Sequence, residues 1–279
     1  MFVVVGYLLH DVNDNNGRVS SWPGGAAIYC GLAARKLGMK VGLVSRAGKD
    51  YKYRHLIEGM DLAVNFSEKS TTTFFNTYRG ENRTQGVENV GRKITGADFP
   101  RRFLDADAIH IGPVIDEIEP SLLEHVRQNS RALVSMDPQG FMRRCDSNGN
   151  VLPKELNLDL LRYVDVVHIS EDDSAAAQLD SIVRVCPRVL FTKGSKGSEI
   201  YWNGKRFEVP AYPIPALADP TGGGDTYTAA FVKRLLDTHD PEESGYYAGA
   251  AASFCVEGVG ISNLPTNEMV VERMRNFQH

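Results

Sequence analysis

Short apolar runs, each closed by glycine, proline or a polar cluster, constrain this chain more than any other feature. They are "FVVV" (2–5), "VGLVSRAG" (41–48), "AIHIGP" (108–113), "ALVSMDP" (132–138), "DVVHIS" (165–170) and "VLFTKG" (189–194). Each has strand length, and a strand with little polar alternation must be covered on both faces. Between the first two lies "GGAAIYCGLAARKLG" (24–38), which reads as a helix. Its Ile28, Leu32 and Leu37 share a broad face, Arg35 and Lys36 fall in the last turn, and Gly38 suits the C-terminal cap. Helix-like segments recur at 120–128 and 171–179. Strand, helix and strand in this order predict parallel crossovers, hence an α/β fold: a doubly wound, mostly parallel sheet flanked by helices. With no internal repeat and no low-complexity linker, residues 1–279 are expected to form one domain of this kind.

Two stretches break the rhythm. "TTTFFNTYRGENRTQGV" (71–87) is rich in Thr, Phe and Tyr around a polar Arg-Gly-Glu-Asn turn, a hairpin pattern. Val12 to Ser20 reads as extended, with Asn-Gly at 16–17 as a turn. The two pieces are either a small β lid outside the main sheet or an edge hairpin. Ligands of open α/β sheets bind beyond the C-terminal strand ends. Those ends carry Asp11, Asp137, Ser170 to Asp173 and Thr192 to Gly197, which should therefore be neighbours.

Composition excludes several function classes. Apolar content of 42% and charged content of 24% are those of a globular chain, and a net charge of −4 supplies no field for nucleic acid. The pairs Arg101-Arg102 and Arg143-Arg144 read as solvated surface. No apolar run reaches the ~18 residues of a membrane span. The apolar N-terminus meets Asp11 early and reads as a buried strand, not a leader. Cys30, Cys145, Cys186 and Cys255 form no CxxC pair, so neither zinc nor a disulfide framework is indicated, and a reducing, cytoplasmic setting is expected. The seven histidines show no metal spacing, and His110 and His168, inside apolar strands, read as core.

The chemistry concentrates in "ADPTGGGDTYTAAF" (218–231). Ala229, Val232, Leu235 and Leu236 recur at helical spacing, so Gly222 to Asp225 stand at a helix start. The first turn has amides without intrahelical partners and a positive dipole end, and glycines let an anion reach them. Asp225 is either a simple N-cap or a base that takes a proton from a hydroxyl attacking that anion. A GxxxxGK[ST] loop is absent, as is a GxGxxG turn after the first strand, which disfavours Walker-type and dinucleotide sites.

In its longer context "DPTGGGDTYTAAF" resembles the C-terminal signature of the ribokinase-like (PfkB) sugar kinases, usually D-x-T-G-A-G-D-x-F, with Gly223 and Tyr227 as mild departures. "VGYLLHD" is similar to the family's opening strand, with Gly6 and Asp11 at the family spacing. "PGGAAIYCGLAARKLG" looks like its di-glycine segment, "VLFTKGSKGSEIY" like its T-x-G-x-x-G nucleotide loop, and "AGAAASFCVEGVGI" like its alanine-rich helix near the adenine.

The resemblance implies an ATP- and Mg2+-dependent kinase acting on a hydroxyl of a sugar or a cyclic polyol such as an inositol. Asp225 would be the general base, and the amides of Gly222, Gly223, Gly224 and Asp225 the anion hole. Asp11 and the backbone at Gly24 and Gly25 would hold the acceptor. Thr192, Gly194 and Gly197 would lie along the nucleotide, with Thr221 near the phosphates and Asp219 organising their loop. Asp137 would face the phosphates, with Arg143 as a clamp. Monovalent-cation activation and homodimerisation through the lid are compatible with the resemblance; nucleic-acid or membrane partners are not implied. Two departures bear on the acceptor and the metal. Tyr29 stands where the family often has Asn, and Ser170-Glu171-Asp172-Asp173 replaces N-x-x-E, leaving Asp173 as the implied metal ligand. A nucleoside kinase on the same scaffold would need an aromatic platform, for which Phe74, Phe75, Tyr78 and Trp22 are candidates. A non-catalytic binder would have no use for the Asp225 carboxylate.

Overall fold

The computed structural model describes residues 1–79 and 82–277. The chain opens with β1 (Phe2–Val5), then leaves the main sheet to form β2 (Leu9–Asn15) and β3 (Arg18–Gly24) before α1 (Ala26–Lys36). β4 (Val41–Gly48) and β5 (Asp61–Glu68) follow, then a second excursion, β6 (Thr73–Arg79) and β7 (Asn82–Glu88). β8 (Ala108–Ile111), α2 (Pro120–Asn129) and β9 (Leu133–Met136) return to the main sheet, and β10 (Arg143–Cys145) with β11 (Val151–Pro153) forms a small hairpin. Then come β12 (Val166–Ser170), α3 (Leu179–Val185), β13 (Arg188–Thr192), β14 (Ser198–Trp202) and β15 (Lys205–Val209). α4 (Gly223–Thr238), α5 (Pro241–Val256) and α6 (Asn267–Phe277) close the chain.

The nine-stranded sheet runs β15–β14–β13–β12–β9–β8–β1–β4–β5. Every neighbouring pair from β13 to β5 is parallel, and β14 and β15 add an antiparallel edge. All six apolar runs lie in it, on adjoining strands. Alternate residues go to opposite faces, as the strand period requires. Val3 and Val5 join Ile109, Ile111 and Val134 in a core with Leu122, Leu123 and Val126 of α2. Phe2 and Val4 join Ile28 and Leu32 of α1 and Ala229 and Val232 of α4 on the other side. Both faces of β1 are thus sealed by helices, which explains its lack of polar alternation.

The two excursions meet as a four-stranded sheet, β3–β2–β6–β7. β2 and β3 turn through Asn16 (φ 51°) and Gly17 (φ 88°), the left-handed pair that a tight hairpin favours. β6 pairs parallel to β2 and antiparallel to β7; part of the turn expected at 79–82 lies outside the described residues. β2 begins earlier and β3 ends later than expected, so Asp11 lies on a lid strand instead of in a connection of the main sheet. The helix expected at 171–179 is displaced. Asp173 closes a turn on Ser170, accepting its amide at 2.8 Å and donating to its carbonyl at 3.0 Å, so a 3₁₀ turn occupies Ser174–Gln178 before α3. Among the described residues no helix is long and apolar enough to cross a membrane.

Candidate active site

The glycine run forms the start of α4. Pro220 accepts the Gly223 amide at 3.2 Å, and Gly222 turns into the helix with φ 78°, ψ 0°. A Cβ on Gly222 would stand 2.3 Å from the Tyr29 ring, and one on Gly224 2.9 Å from Cε1 of His168. No side chain caps the helix. The amides of Gly222, Gly224 and Asp225 donate to no described residue. Gly223, expected to share the anion hole, already donates to Pro220, because the turn that sets up the left-handed Gly222 consumes that amide.

The preceding loop is tied to the end of α5. Asp219 accepts the Thr221 amide at 2.9 Å and the Gly260 amide at 3.0 Å. The amides of Ala218 and Asp219 donate to the Val256 carbonyl, and the Cys255 thiol to that of Thr221. Asp219 therefore organises the loop, and Thr221 is exposed within it.

The Asp225 side chain, partly buried in the first turn of α4, has no hydrogen-bond partner among the described residues. Burial pushes its carboxyl up to about 7, reinforced by the charges of Asp137 and Asp11 and opposed by His168. Burial also raises the Tyr29 phenol, followed by the fields of Asp11, Asp219 and Asp225. Carboxylates from two distant segments, Asp11 and the Asp219–Asp225 stretch, thus act on one buried ring. Asp11 lies over the second glycine pair: a Cβ on Gly24 would fall 2.3 Å from Asp11 Oδ2 and 2.3 Å from Leu9 Cδ1. Gly25, with φ 97°, starts α1, and its Cβ would strike the Tyr7 carbonyl at 2.4 Å.

Beneath Gly224 runs a polar chain across three parallel strands. His168 Nδ1 lies 3.3 Å from Asp137 Oδ2, and its Nε2 lies 3.1 Å from Thr192 Oγ1. Asp137 also accepts the Gln139 amide at 3.2 Å. Burial opposes the Asp137 charge, but the His168 hydrogen bond and field hold it below the usual carboxylate range. Asp173 is raised, first by burial and then by the Asp137 charge. Of the strand-end residues expected to be neighbours, Asp137, Asp173 and Thr192 converge here, whereas Asp11 comes from the lid. His168, read as core from its apolar strand, is buried but lies against the glycine run. In the loop expected to hold the nucleotide, Gly194 (φ 53°) faces open space, whereas Gly197 (φ 89°) is demanded by packing, since its Cβ would lie 2.1 Å from the Val209 carbonyl.

The lid supplies a side that the sequence reading missed. Asp11, Trp22 and Phe74 are register partners, as are Asn13 and Asn76, and Asn76 and Gln85, so they share one lid face. That face is turned inward: Phe74, Asn76 and Val87 are buried. Asn76 Nδ2 donates to Asn13 Oδ1 at 2.9 Å, and Gln85 Nε2 donates to Asn76 Oδ1 at 2.9 Å, making a rail of amides. The rail leads to a cavity of about 210 Å3 lined by Gln85, Gln139, Arg143, Asp173 and Ser174 among others. Arg143, part of a pair read as solvated surface, is only half-exposed and lines this cavity. The alternation of Asp11, Asn13 and Asn15 along β2 is the one local sign of this face in the sequence. Of the aromatic platform candidates, Phe74 is committed to the core, Phe75 lies on the opposite face, and the Tyr78 side chain lies outside the described residues. Trp22 remains, 37% exposed, with Cε3 3.8 Å from a Cβ built on Gly260.

A carboxyl held near neutrality beside amides open to an anion suits one operation above others. It can take a proton from an alcohol while the amides receive the phosphoryl group that the alcohol attacks. A phosphotransferase with a hydroxyl acceptor is the class so defined. The chain belongs to the pfkB family of carbohydrate kinases, whose family model matches residues 2–267. It is 28% identical to a nucleoside kinase of Methanocaldococcus jannaschii over 91% of this chain and 86% of that one. It is 29% identical to an inositol 3-kinase of Oryza sativa subsp. japonica, over 93% and 69%. Its fold matches a pyrophosphate-dependent kinase of the ribokinase family, solved with a pyrophosphate analog and myo-inositol, at a TM-score of 0.82 with 22% identity, covering 98% and 100%.

Proposed function

We propose that this kinase transfers the terminal phosphoryl group of ATP to a ring hydroxyl of a cyclic polyol of the inositol class. The observation that carries the acceptor assignment is the amide rail Asn13–Asn76–Gln85, aligned with Asp11 on the inner lid face. Carboxamides and carboxylates pair with several hydroxyls at once, whereas a nucleobase favours an aromatic face. Likeness to plant inositol 3-kinases supports this reading.

In the proposed reaction Asp11 and the backbone at Gly24 and Gly25 orient the acceptor. Ionised Asp225 takes the proton of the attacking hydroxyl as the new O–P bond forms and the bond to the leaving phosphate breaks. The amides of Gly222, Gly224 and Asp225 receive the charge on the moving group. One such donor is worth ~10²–10³-fold in turnover and a general base ~10²–10⁴-fold. Thr192, Gly194 and Gly197 flank the nucleotide, Thr221 stands near its phosphates, and the lid excludes water.

Asp173 fits a divalent cation: its charge is disfavoured by burial and by Asp137, which a cation would relieve. A bound Mg2+ would be held on the protein side by the Asp173 carboxylate. When bound, the ion would neutralise phosphate charge.

A second reading, a nucleoside acceptor, is favoured by Trp22, which faces the site opposite Asp11. The deciding experiment measures phosphorylated product from inositols, pentoses, hexoses and nucleosides, with ATP and with pyrophosphate as donor. The polyol reading predicts that an inositol gives the highest kcat/KM, with ATP. A nucleoside ahead by tenfold or more contradicts the acceptor assignment, and turnover with pyrophosphate alone contradicts the donor.

A further inference from the structure

The proposed reaction leaves the buried, titratable His168 without a task. His168 is 3% exposed, yet both ring nitrogens are engaged, one by a carboxylate and one by a hydroxyl. The Thr192 hydroxyl lies 3.5 Å from the Ile169 carbonyl, a direction in which it can donate, leaving its oxygen to accept from Nε2–H. Nδ1 faces Asp137, an acceptor when ionised. A ring that donates from both nitrogens is an imidazolium. Its position is also defined. Cε1 lies under Gly224, where a Cβ would come within 2.9 Å, and the ring stacks on Tyr227 with centroids 6.1 Å apart and planes 22° from parallel. Tyr227 is held in turn by Ser198 at 2.8 Å.

The geometry points to His168 as a fixed cation beneath the phosphoryl site, a positioning residue that holds Asp137 and the Thr192 hydroxyl and sets the ionisation of Asp225. The inference rests on the proposed role of Asp225 as base. The charged and titratable groups facing the imidazole are Asp137 after β9, Asp173 after β12, Asp225 and the stacked Tyr227 phenol on α4, and His110 on β8. The three carboxylates favour its protonation against burial, and His168 in turn disfavours a charge on His110. Without a cation among them, three carboxylates would repel one another and the incoming phosphates alike. With it, Asp225 can ionise near neutral pH. Thr192, implied in nucleotide contact, is one hydrogen bond from the ring, so donor binding and readiness of the base share one buried group.

Two measurements test this. The first is long-range 1H–15N correlation on 15N-histidine-labelled wild-type protein at pH 7, which requires no acceptor. Two protonated ring nitrogens are expected for His168, and a single protonated nitrogen would overturn the inference whatever the acceptor proves to be. The second is the pH profile of kcat/KM in His168→Gln, which keeps a hydrogen-bonding side chain without the charge. The limb assigned to Asp225 should move alkaline by ~1 unit, lowering kcat/KM about tenfold below the limb while the high-pH plateau stays within a few-fold. A uniform loss with an unmoved limb would mean that His168 only packs, and would overturn the role. Loss of the limb in wild type would instead count against Asp225 as base.

Discussion

If burial and neighbouring charge hold Asp225 near neutrality, this residue should oppose folding at the pH where the enzyme works. Its carboxyl is raised from 3.8 to about 7, chiefly by burial and then by Asp137. Three units correspond to roughly 4 kcal/mol between the neutral and ionised forms. Because the folded value lies above the unfolded one, this contribution is fully present below pH 3.8 and is lost as pH rises through 7. Asp225→Asn, which cannot ionise, escapes that loss. The stability of the variant relative to wild type should therefore grow by roughly 2 to 3 kcal/mol between pH 5 and 8, while its turnover falls at least ~10²-fold. Urea denaturation of both ligand-free proteins at the two pH values reads the difference directly, and other titrating groups largely cancel. A pH-independent difference, or a variant less stable than wild type at pH 8, would refute the reasoning.

Two other substitutions test separate parts of the structure. Gly24→Ala places a Cβ where the Asp11 carboxylate now sits, 2.3 Å from Oδ2, and should raise the acceptor KM ~10-fold with the ATP KM unchanged; equal effects on both substrates would contradict the placement of Asp11. His110 is fully buried, hydrogen-bonded through Nδ1 to Ser135 at 3.1 Å, with Nε2 unpaired among the described residues. Burial lowers it to about 4, so the unfolded chain binds more protons between about pH 4 and 6.5. Stability should fall by up to roughly 3 kcal/mol as pH drops through that window, and His110→Asn should flatten the slope in pH-dependent denaturation.

Much of this could be read from the chain because the relevant signals are local. β1 needs apolar side chains on both faces, and "FVVV" announces that without reference to anything distant. Gly38, at φ 89°, ends its helix for a reason internal to the turn. The same holds for Gly222 and the start of α4. Legibility ended where a residue's meaning depends on its neighbours in space. His168 sits in an apolar strand like any core residue; its strand-end position beside Asp137 and Thr192 appears only when three strands are laid side by side. The Gly223 amide could not be removed from the anion hole before the Pro220 turn was seen. The lid rail was hidden for a similar reason. Asn13 and Asn76 are far apart in the chain, and only the parallel pairing of β2 with β6 brings them together. β14 and β15 went unrecognised because an edge hairpin with one solvated face gives a weaker pattern than a buried parallel strand.

The central claim is that Asp225 is the proton acceptor. The most direct test is the pH dependence of kcat/KM for the phosphorylated acceptor, measured from pH 5 to 9 in wild type and in Asp225→Asn. The account predicts a wild-type limb rising with an apparent pKa near 7 and a variant that is at least ~10²-fold slower and has no such limb. A flat wild-type profile, or a variant that keeps both the limb and the rate, would contradict it.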